Sequence, residues 1–224
     1  MNLNNSHVIF HIKLASYIAV IAVLMFASIS HSQTSHWKIM RAVEEGNLRE
    51  VKFLLDRGMD PNTTGPDGYS VLMIAARKGE AEIVSLLVDR RANVGKRSPS
   101  GDTALLMASL NGDLRIIRTL LSAGAELNPK EGWAPLHYAA FEGKVDAVRL
   151  FLDVGADKDA LAPNGYTPLM LAARNGHTEA AKAILYRDPD VNYRTPDGQT
   201  ALRIARRRDM RELAELLVQA GGVE

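Results

Sequence analysis

Residues 165–176 read GYTPLMLAARNG, and four other segments of the chain follow the same pattern at nearly constant spacing. Successive segments start 33, 31, 33 and 33 residues apart. Self-similarity at a period of about 20 to 50 residues is typical of repeat architectures, so it decides the fold before any single motif does. The other four copies are GYSVLMIAARKG from residue 68, GDTALLMASLNG from 101, GWAPLHYAAFEG from 132 and GQTALRIARRRD from 198.

The chemistry of one copy predicts a pair of helices. Thr167 can cap the first helix with its hydroxyl, and Pro168 suits the first helical position, where no backbone N–H is needed. Gly176 then marks a reversal, and a second apolar pattern with helical spacing follows it. One helix pair cannot bury its own apolar face, so the copies are expected to stack into a solenoid.

A related unit, WKIMRAVEEGNLREVKFLLDRG at residues 37–58, precedes the five copies and brings the expected number of units to six. The turn chemistry of Pro-Asp-Gly and its variants separates the units. The expected repeats lie near residues 37–67, 68–100, 101–131, 132–164, 165–197 and 198–224.

These segments resemble the ankyrin repeat, whose T-P-L-H-x-A-A signature is matched by APLHYAA at residues 134–140 and TPLMLAA at 167–173. The resemblance implies an all-α solenoid of about six helix pairs with projecting β-hairpin loops, and a role in binding another protein. Three departures stand out: Arg91 and Asp188 replace the glycine that ends the second helix, and Asp209 replaces the glycine between the helices. The loop of the third unit is also two residues short.

In ankyrin geometry two positions of each unit face the concave side without being dictated by packing. The position after the first glycine, here called the hairpin column, holds Tyr69, Asp102, Trp133, Tyr166 and Gln199. The position at the end of the first helix, the helix-end column, holds Arg77, Leu110, Phe141, Arg174 and Arg207.

Aromatic residues and arginine are enriched where proteins bind proteins, which makes seven of these ten residues candidates for partner binding, and Leu110 is added as their apolar neighbour. Leu110, Phe141 and Trp133 are expected to form an apolar patch in the middle of the array. The alternative is that Trp133 or Phe141 folds inward and serves packing only. The candidates are Tyr69, Arg77, Leu110, Trp133, Phe141, Tyr166, Arg174 and Arg207.

The sequence offers no catalytic or metal-binding constellation, and no cofactor is expected. Cysteine is absent, and neither a GxSxG nor a GxxxxGK[ST] motif occurs. His137 occupies the signature histidine of the repeat and is expected to form structural hydrogen bonds. Residues 203–211, RIARRRDMR, suit the polar outer face of a terminal repeat better than a nucleic-acid site. With a formal net charge of +1, the chain has no overall field to attract nucleic acid.

The N-terminus predicts export. An uncharged, mostly apolar run from Leu14 to Ile29 is followed by Ser30-His31-Ser32, which is the order of a signal peptide with cleavage after Ser32. Residues 1–32 are therefore expected to be removed, leaving a repeat domain of residues 33–224 in the periplasm or secreted. The alternative is an uncleaved membrane anchor.

Together these features predict a monomeric, exported protein that holds a partner protein on its concave face and is not an enzyme. The partner's identity is open, and the role is that of an inhibitor or immunity factor, or of a protective scaffold for an envelope enzyme. The runner-up is a membrane-anchored structural module that rests its basic last repeat on anionic lipid.

Overall fold

The computed structural model describes residues 36–224, which form twelve helices arranged as six consecutive pairs. The inner helices are α1 (36–44), α3 (Val71–Lys78), α5 (Ala104–Asn111), α7 (Pro135–Phe141), α9 (Pro168–Asn175) and α11 (Ala201–Arg207). The outer helices are α2 (Leu48–Asp56), α4 (Ala81–Asp89), α6 (Leu114–Ser122), α8 (Val145–Asp153), α10 (Thr178–Leu185) and α12 (Arg211–Gln219).

Stacking of like helices builds the solenoid. Each inner helix from α3 onward packs against the inner helix of the next unit, and the outer helices form a parallel row. Small side chains permit this close approach, because alanines such as Ala140 and Ala173 are fully buried on the inner helices. Larger side chains, for example Phe151, fill the space between the two rows. The predicted all-α repeat solenoid is confirmed.

The inner helices begin as the sequence predicts. In four of them a hydroxyl accepts a hydrogen bond from the backbone N–H three residues later, which satisfies one of the free N–H groups at the helix start. Proline occupies the first turn of α7 and of α9. The four capping residues are Ser70, Thr103, Thr167 and Thr200.

The fourth unit caps its inner helix differently, because Ala134 replaces the hydroxyl residue. The Ala134 N–H donates to Nδ1 of His137 at 3.0 Å, and Nε2 of His137 lies 2.9 Å from the Ala160 carbonyl oxygen. Because Nδ1 accepts, Nε2 carries the proton and donates it. His137 is fully buried, so it joins its own helix start to the following loop, as expected for a structural histidine.

The loops that project between units are tight antiparallel turns. In four loops one residue donates its N–H to the carbonyl oxygen of the hairpin-column residue and accepts from the glycine before that residue. Over residues 36–224 the extended backbone pairing is limited to one isolated bridge, between Thr64 and Ser70. The short third loop has Pro129 at the donor position, and proline has no N–H to give. The four donors are Gly65, Ser98, Ala162 and Thr195.

A ladder of loop side chains connects neighbouring units. In four of the five steps an Asn or Asp carboxamide or carboxylate oxygen accepts the backbone N–H of a residue in the next unit, at 2.7 to 2.9 Å. The remaining step, from the second unit to the third, has Gly95 at the acceptor position. The rungs are Asn62 with Asn93, Asn128 with Asp157, Asp159 with Asp190, and Asn192 with Val223.

The three residues that replace expected glycines keep the glycine backbone. Arg91, Asp188 and Asp209 have φ values of 63°, 53° and 54°, and the glycines at equivalent places have φ between 64° and 91°. A residue with a Cβ pays about 1 kcal/mol or more for this left-handed conformation. The departures therefore produce local strain rather than a different chain path.

No helix within residues 36–224 is long and apolar enough to cross a membrane. The expected signal peptide, and the anchor that is its alternative, lie outside the described residues.

Gly95→Asn is expected to complete the loop ladder and stabilise the protein. Gly95 does not have a left-handed φ, and an added Cβ would meet only Asn93 Oδ1, at an ordinary 3.5 Å. Gly95→Ala is the matched control, since it shares the loss of backbone freedom in the unfolded chain without the new acceptor. In urea unfolding, Gly95→Asn should exceed Gly95→Ala by about 1 kcal/mol. Equal stability of the two variants would contradict the role assigned to the ladder.

Acidification is expected to destabilise the protein through His137. Burial lowers the pKa of His137 below its ordinary value of 6.5. The unfolded chain therefore takes up the proton first, and the stability contributed by the neutral ring is present above about pH 6.5 and is lost below it. Urea unfolding at about pH 7.5 and pH 5 should show a larger loss for the wild type than for His137→Gln. A parallel loss in both proteins would assign the pH dependence to other groups.

Candidate functional site

The two inner-face columns are positioned by the ends of the inner helices. Each hairpin-column residue stands between a glycine of left-handed conformation and the residue that caps the inner helix. Each helix-end residue is the last or next-to-last residue of the same helix, eight positions later. Both positions lie where the backbone is held by turns and caps, so their side chains are free to vary.

Within three units the structure brings the two columns together. The guanidinium of Arg77 lies 5.6 Å from the ring centroid of Tyr69, and that of Arg174 lies 5.7 Å from the ring of Tyr166. In the last unit Arg207 donates to Gln199 Oε1 at 3.2 Å. Cation–π contacts of this kind hold the arginine side chains over the face of the solenoid.

The middle of the array is apolar, but its three predicted residues differ in what they expose. Phe141 is 38% exposed, whereas Leu110 is partly buried against the core. Trp133 is half-buried, and its indole meets the rings of His137 and Tyr138 edge-on, with centroids 5.8 and 5.7 Å apart. Trp133 therefore packs against its own helix, and Phe141 is the more accessible of the two aromatics.

A shared carboxylate links three units beside this patch. The Tyr69 hydroxyl donates to Asp102 Oδ2 at 2.7 Å, and the Tyr138 hydroxyl donates to Asp102 Oδ1 at 3.3 Å. The hydrogen bond to Asp102 raises the pKa of Tyr69, and burial raises that of Tyr138 to about 12. Both phenols thus stay protonated near neutral pH and act as hydrogen-bond donors.

Asp102 and Tyr138 are the participants that sequence reasoning did not select. Asp102 is the one acid of a hairpin column that otherwise holds Tyr69, Trp133, Tyr166 and Gln199. Tyr138 occupies a position filled by buried Ile, Met or Leu in the other copies of the motif. Aligning the copies position by position would have identified both residues. Asp102 is charged where the other copies have uncharged residues, and Tyr138 has a hydroxyl where the other copies have aliphatic or Met side chains.

The charge of the inner face changes along the array. At its start Glu44 lies 3.6 Å from both Arg77 and Lys78. At its far end Arg174 and Arg207 share a recess with Arg208, and in the described part of the chain no carboxylate lies within 4.0 Å of these three guanidinium groups. The face therefore runs from paired charge, through apolar side chains, to unpaired positive charge.

The arrangement is suited to contact rather than to proton transfer. Both ring nitrogens of His137 are engaged and the ring is fully buried, so this histidine does not reach a ligand. Among residues 36–224 no three His, Asp or Glu side chains are grouped as metal ligands. What the inner face presents is a row of aromatic rings, arginines and one apolar patch.

Comparison with known proteins agrees with this architecture. The family model described as ankyrin repeats (3 copies) matches residues 39–131, 90–162 and 136–224. The crystal structure of the human ASB11 ankyrin repeat domain is similar, with a TM-score of 0.77 and 25% sequence identity over 83% of this chain and 84% of that one. No curated protein sequence matches the chain. With six stacked helix pairs and family matches that span residues 39–224, the chain belongs to the ankyrin repeat family, whose members are protein-interaction modules.

Proposed function

We propose that this protein binds a partner protein on the concave face of the solenoid, through the hairpin and helix-end columns, and does so outside the cytoplasm. The observation that carries the proposal is the exposed Phe141 in the middle of the face. Its ring is not part of the hydrophobic core, and Trp133 of the same unit is partly buried. Exposed aromatic side chains with rigid surroundings are the residues that contribute most to protein interfaces.

The role that follows is one of occupying or shielding a partner, as an inhibitor or immunity factor or as a protective scaffold for an envelope enzyme. An ankyrin repeat domain is typically a non-enzymatic scaffold, and the inner face described above is built for contact. The eight candidate residues extend over five units, so the partner is expected to cover most of the face rather than to insert at one point.

Export is the second part of the proposal and rests on the apolar run from Leu14 to Ile29 and the small residues that follow it. N-terminal sequencing of the protein recovered from fractionated cells separates the two arrangements. A start at Gln33 in the soluble envelope fraction is expected. An intact Met1 in the membrane fraction would instead favour the anchored module.

The concave-face proposal is tested by capture of partners from an envelope extract, with mass spectrometry of the retained proteins. Phe141→Ala should lower retention of the partner about tenfold or more, since an interface hot spot contributes about 2 kcal/mol. Phe53→Ala is the matched control, because Phe53 is 51% exposed on the outer helix α2. Both side chains are exposed, so neither change should alter the melting temperature much.

The result that would contradict the proposal is equal retention by Phe141→Ala and the wild type, with loss in Phe53→Ala. Such a result would place recognition on the outer helices. Trp133→Ala is less informative, because the indole also supports His137 and Tyr138.

A further inference from the structure

We propose that the recess at the C-terminal end of the concave face binds an acidic segment of the partner protein. The inference rests on the proposed function and deepens it by assigning the partner's chemistry at one end of the face. The recess encloses about 260 Å³ and lies between the inner helices of the last two units. Its lining residues are Tyr166, Arg174, Gln199, Ile204, Arg207 and Arg208.

The helix-end column explains why the arginines are unpaired. Each residue of the helix-end column has a counterpart at the same position of the preceding unit. That counterpart is the residue with which it can form an ion pair along the column. Arg77 is preceded by Glu44 and forms an ion pair with it at 3.6 Å. Arg174 is preceded by Phe141, and Arg207 is preceded by Arg174. Positive charge therefore accumulates in the last two units without an internal carboxylate.

The neighbouring arginines of the same segment are already engaged. Arg206 forms an ion pair with Glu224, and Arg211 lies 3.4 Å from Asp209. The polar outer face of a terminal repeat accounts for these two residues. It does not account for Arg207 and Arg208, which line the recess instead.

Two of the recess arginines are held in place by neutral contacts. The guanidinium of Arg174 lies over the Tyr166 ring, and Arg207 donates one hydrogen bond to Gln199. A guanidinium has five N–H donors, so each of these groups keeps donors for an incoming anion. Because the side chains are already ordered, less conformational entropy is lost when a carboxylate binds, and the fork of donors matches its two oxygens.

An acidic peptide fits these features better than a nucleic acid or a lipid surface. The chain has a formal net charge of +1, so it lacks the extended positive field with which proteins collect phosphate backbones. Arg174, Arg207 and Arg208 meet in one recess, where a side-chain carboxylate reaches them and a planar bilayer does not. Phe141 lies one unit away on the same face, so a segment with apolar residues beside its acids would engage both.

The test uses two fluorescein-labelled peptides that carry the same Leu-Phe pair, followed by a run of glutamates in one and of glutamines in the other. Fluorescence anisotropy with the purified protein should show at least about tenfold tighter binding of the glutamate peptide, which corresponds to 1.4 kcal/mol. Added salt should weaken this preference, because the contact is between charges. No preference for glutamate over glutamine would overturn the inference.

Two triple variants with the same change of net charge separate a local site from a general field. Arg174→Gln/Arg207→Gln/Arg208→Gln should lower affinity for the glutamate peptide about tenfold or more. Arg49→Gln/Arg115→Gln/Arg118→Gln removes three exposed outer-helix charges and should change affinity less than about twofold. Equal losses in both would overturn the inference, as would tighter binding of single-stranded DNA or of phosphatidylglycerol vesicles than of the peptide.

The double variant Arg207→Lys/Arg208→Lys controls for loss of affinity caused by misfolding. It keeps both positive charges but removes the paired N–H donors of the guanidinium groups. Intermediate affinity is expected at an unchanged melting temperature. The inference and the proposed function fail in different ways. If Phe141→Ala loses the captured partner while the recess triple retains it, the concave face is the interface and the acidic segment is wrong. If the triple loses the peptide but partner capture survives both changes, the recess binds anions without holding the partner, and both the inference and the concave-face interface are wrong.

Discussion

The structure depends on one constraint: a single helix pair of this sequence has an apolar face that it cannot bury alone. Contact with the neighbouring pair removes that face from water, and the gain is about 25 cal/mol for each Å² of apolar surface buried. Because every unit meets the same requirement, the inner helices carry small buried residues such as Ala140 and Ala173, and larger residues such as Phe151 of the outer helix α8 are also fully buried in the core. The face on which we propose that the partner binds consists of side chains that this packing does not require.

Polar contacts keep the stacked units in register. Hydroxyl caps fix the starts of the inner helices, and the Asn and Asp ladder joins most neighbouring loops. The loop contacts are incomplete around the third unit, because Gly95 provides no side chain for the ladder and Pro129 provides no N–H for the turn of the third loop. The carboxylate of Asp102 lies in that unit and accepts hydrogen bonds from Tyr69 before it and Tyr138 after it. These hydrogen bonds of Asp102 therefore connect the second, third and fourth units where the loops form fewer contacts.

Much of the fold was predictable because its determinants are local and repeated. Thr167 and Pro168 specify a helix start from their own chemistry, and the spacing of glycines specifies where the chain turns. The assignment of the two columns to the concave side follows from position in the unit alone and stays a prediction. Sequence also placed Arg91 and Asp188 at glycine positions, but it did not indicate that they would adopt the left-handed conformation rather than a different turn.

The contacts of the site were less predictable because they depend on side chains in other units. Tyr69 and Asp102 are 33 residues apart, and their hydrogen bond follows from stacking rather than from any motif. The edge-on contacts of the Trp133 ring with His137 and Tyr138 likewise depend on which side chains lie beside it. The unpaired charge of Arg174 becomes visible only when the counterparts in successive units are compared in space.

Site-specific photo-cross-linking tests partner binding on the concave face, with a benzophenone amino acid placed in turn at Phe141 of α7 and at Tyr186 at the end of the outer helix α10. Tyr186 is 87% exposed at the end of α10, so non-specific cross-linking would occur more readily there than at Phe141. Binding on the concave face predicts that the captured partner is joined to the protein at position 141 and not at 186. Cross-linking at 186 alone would contradict it and would assign binding to the outer helices.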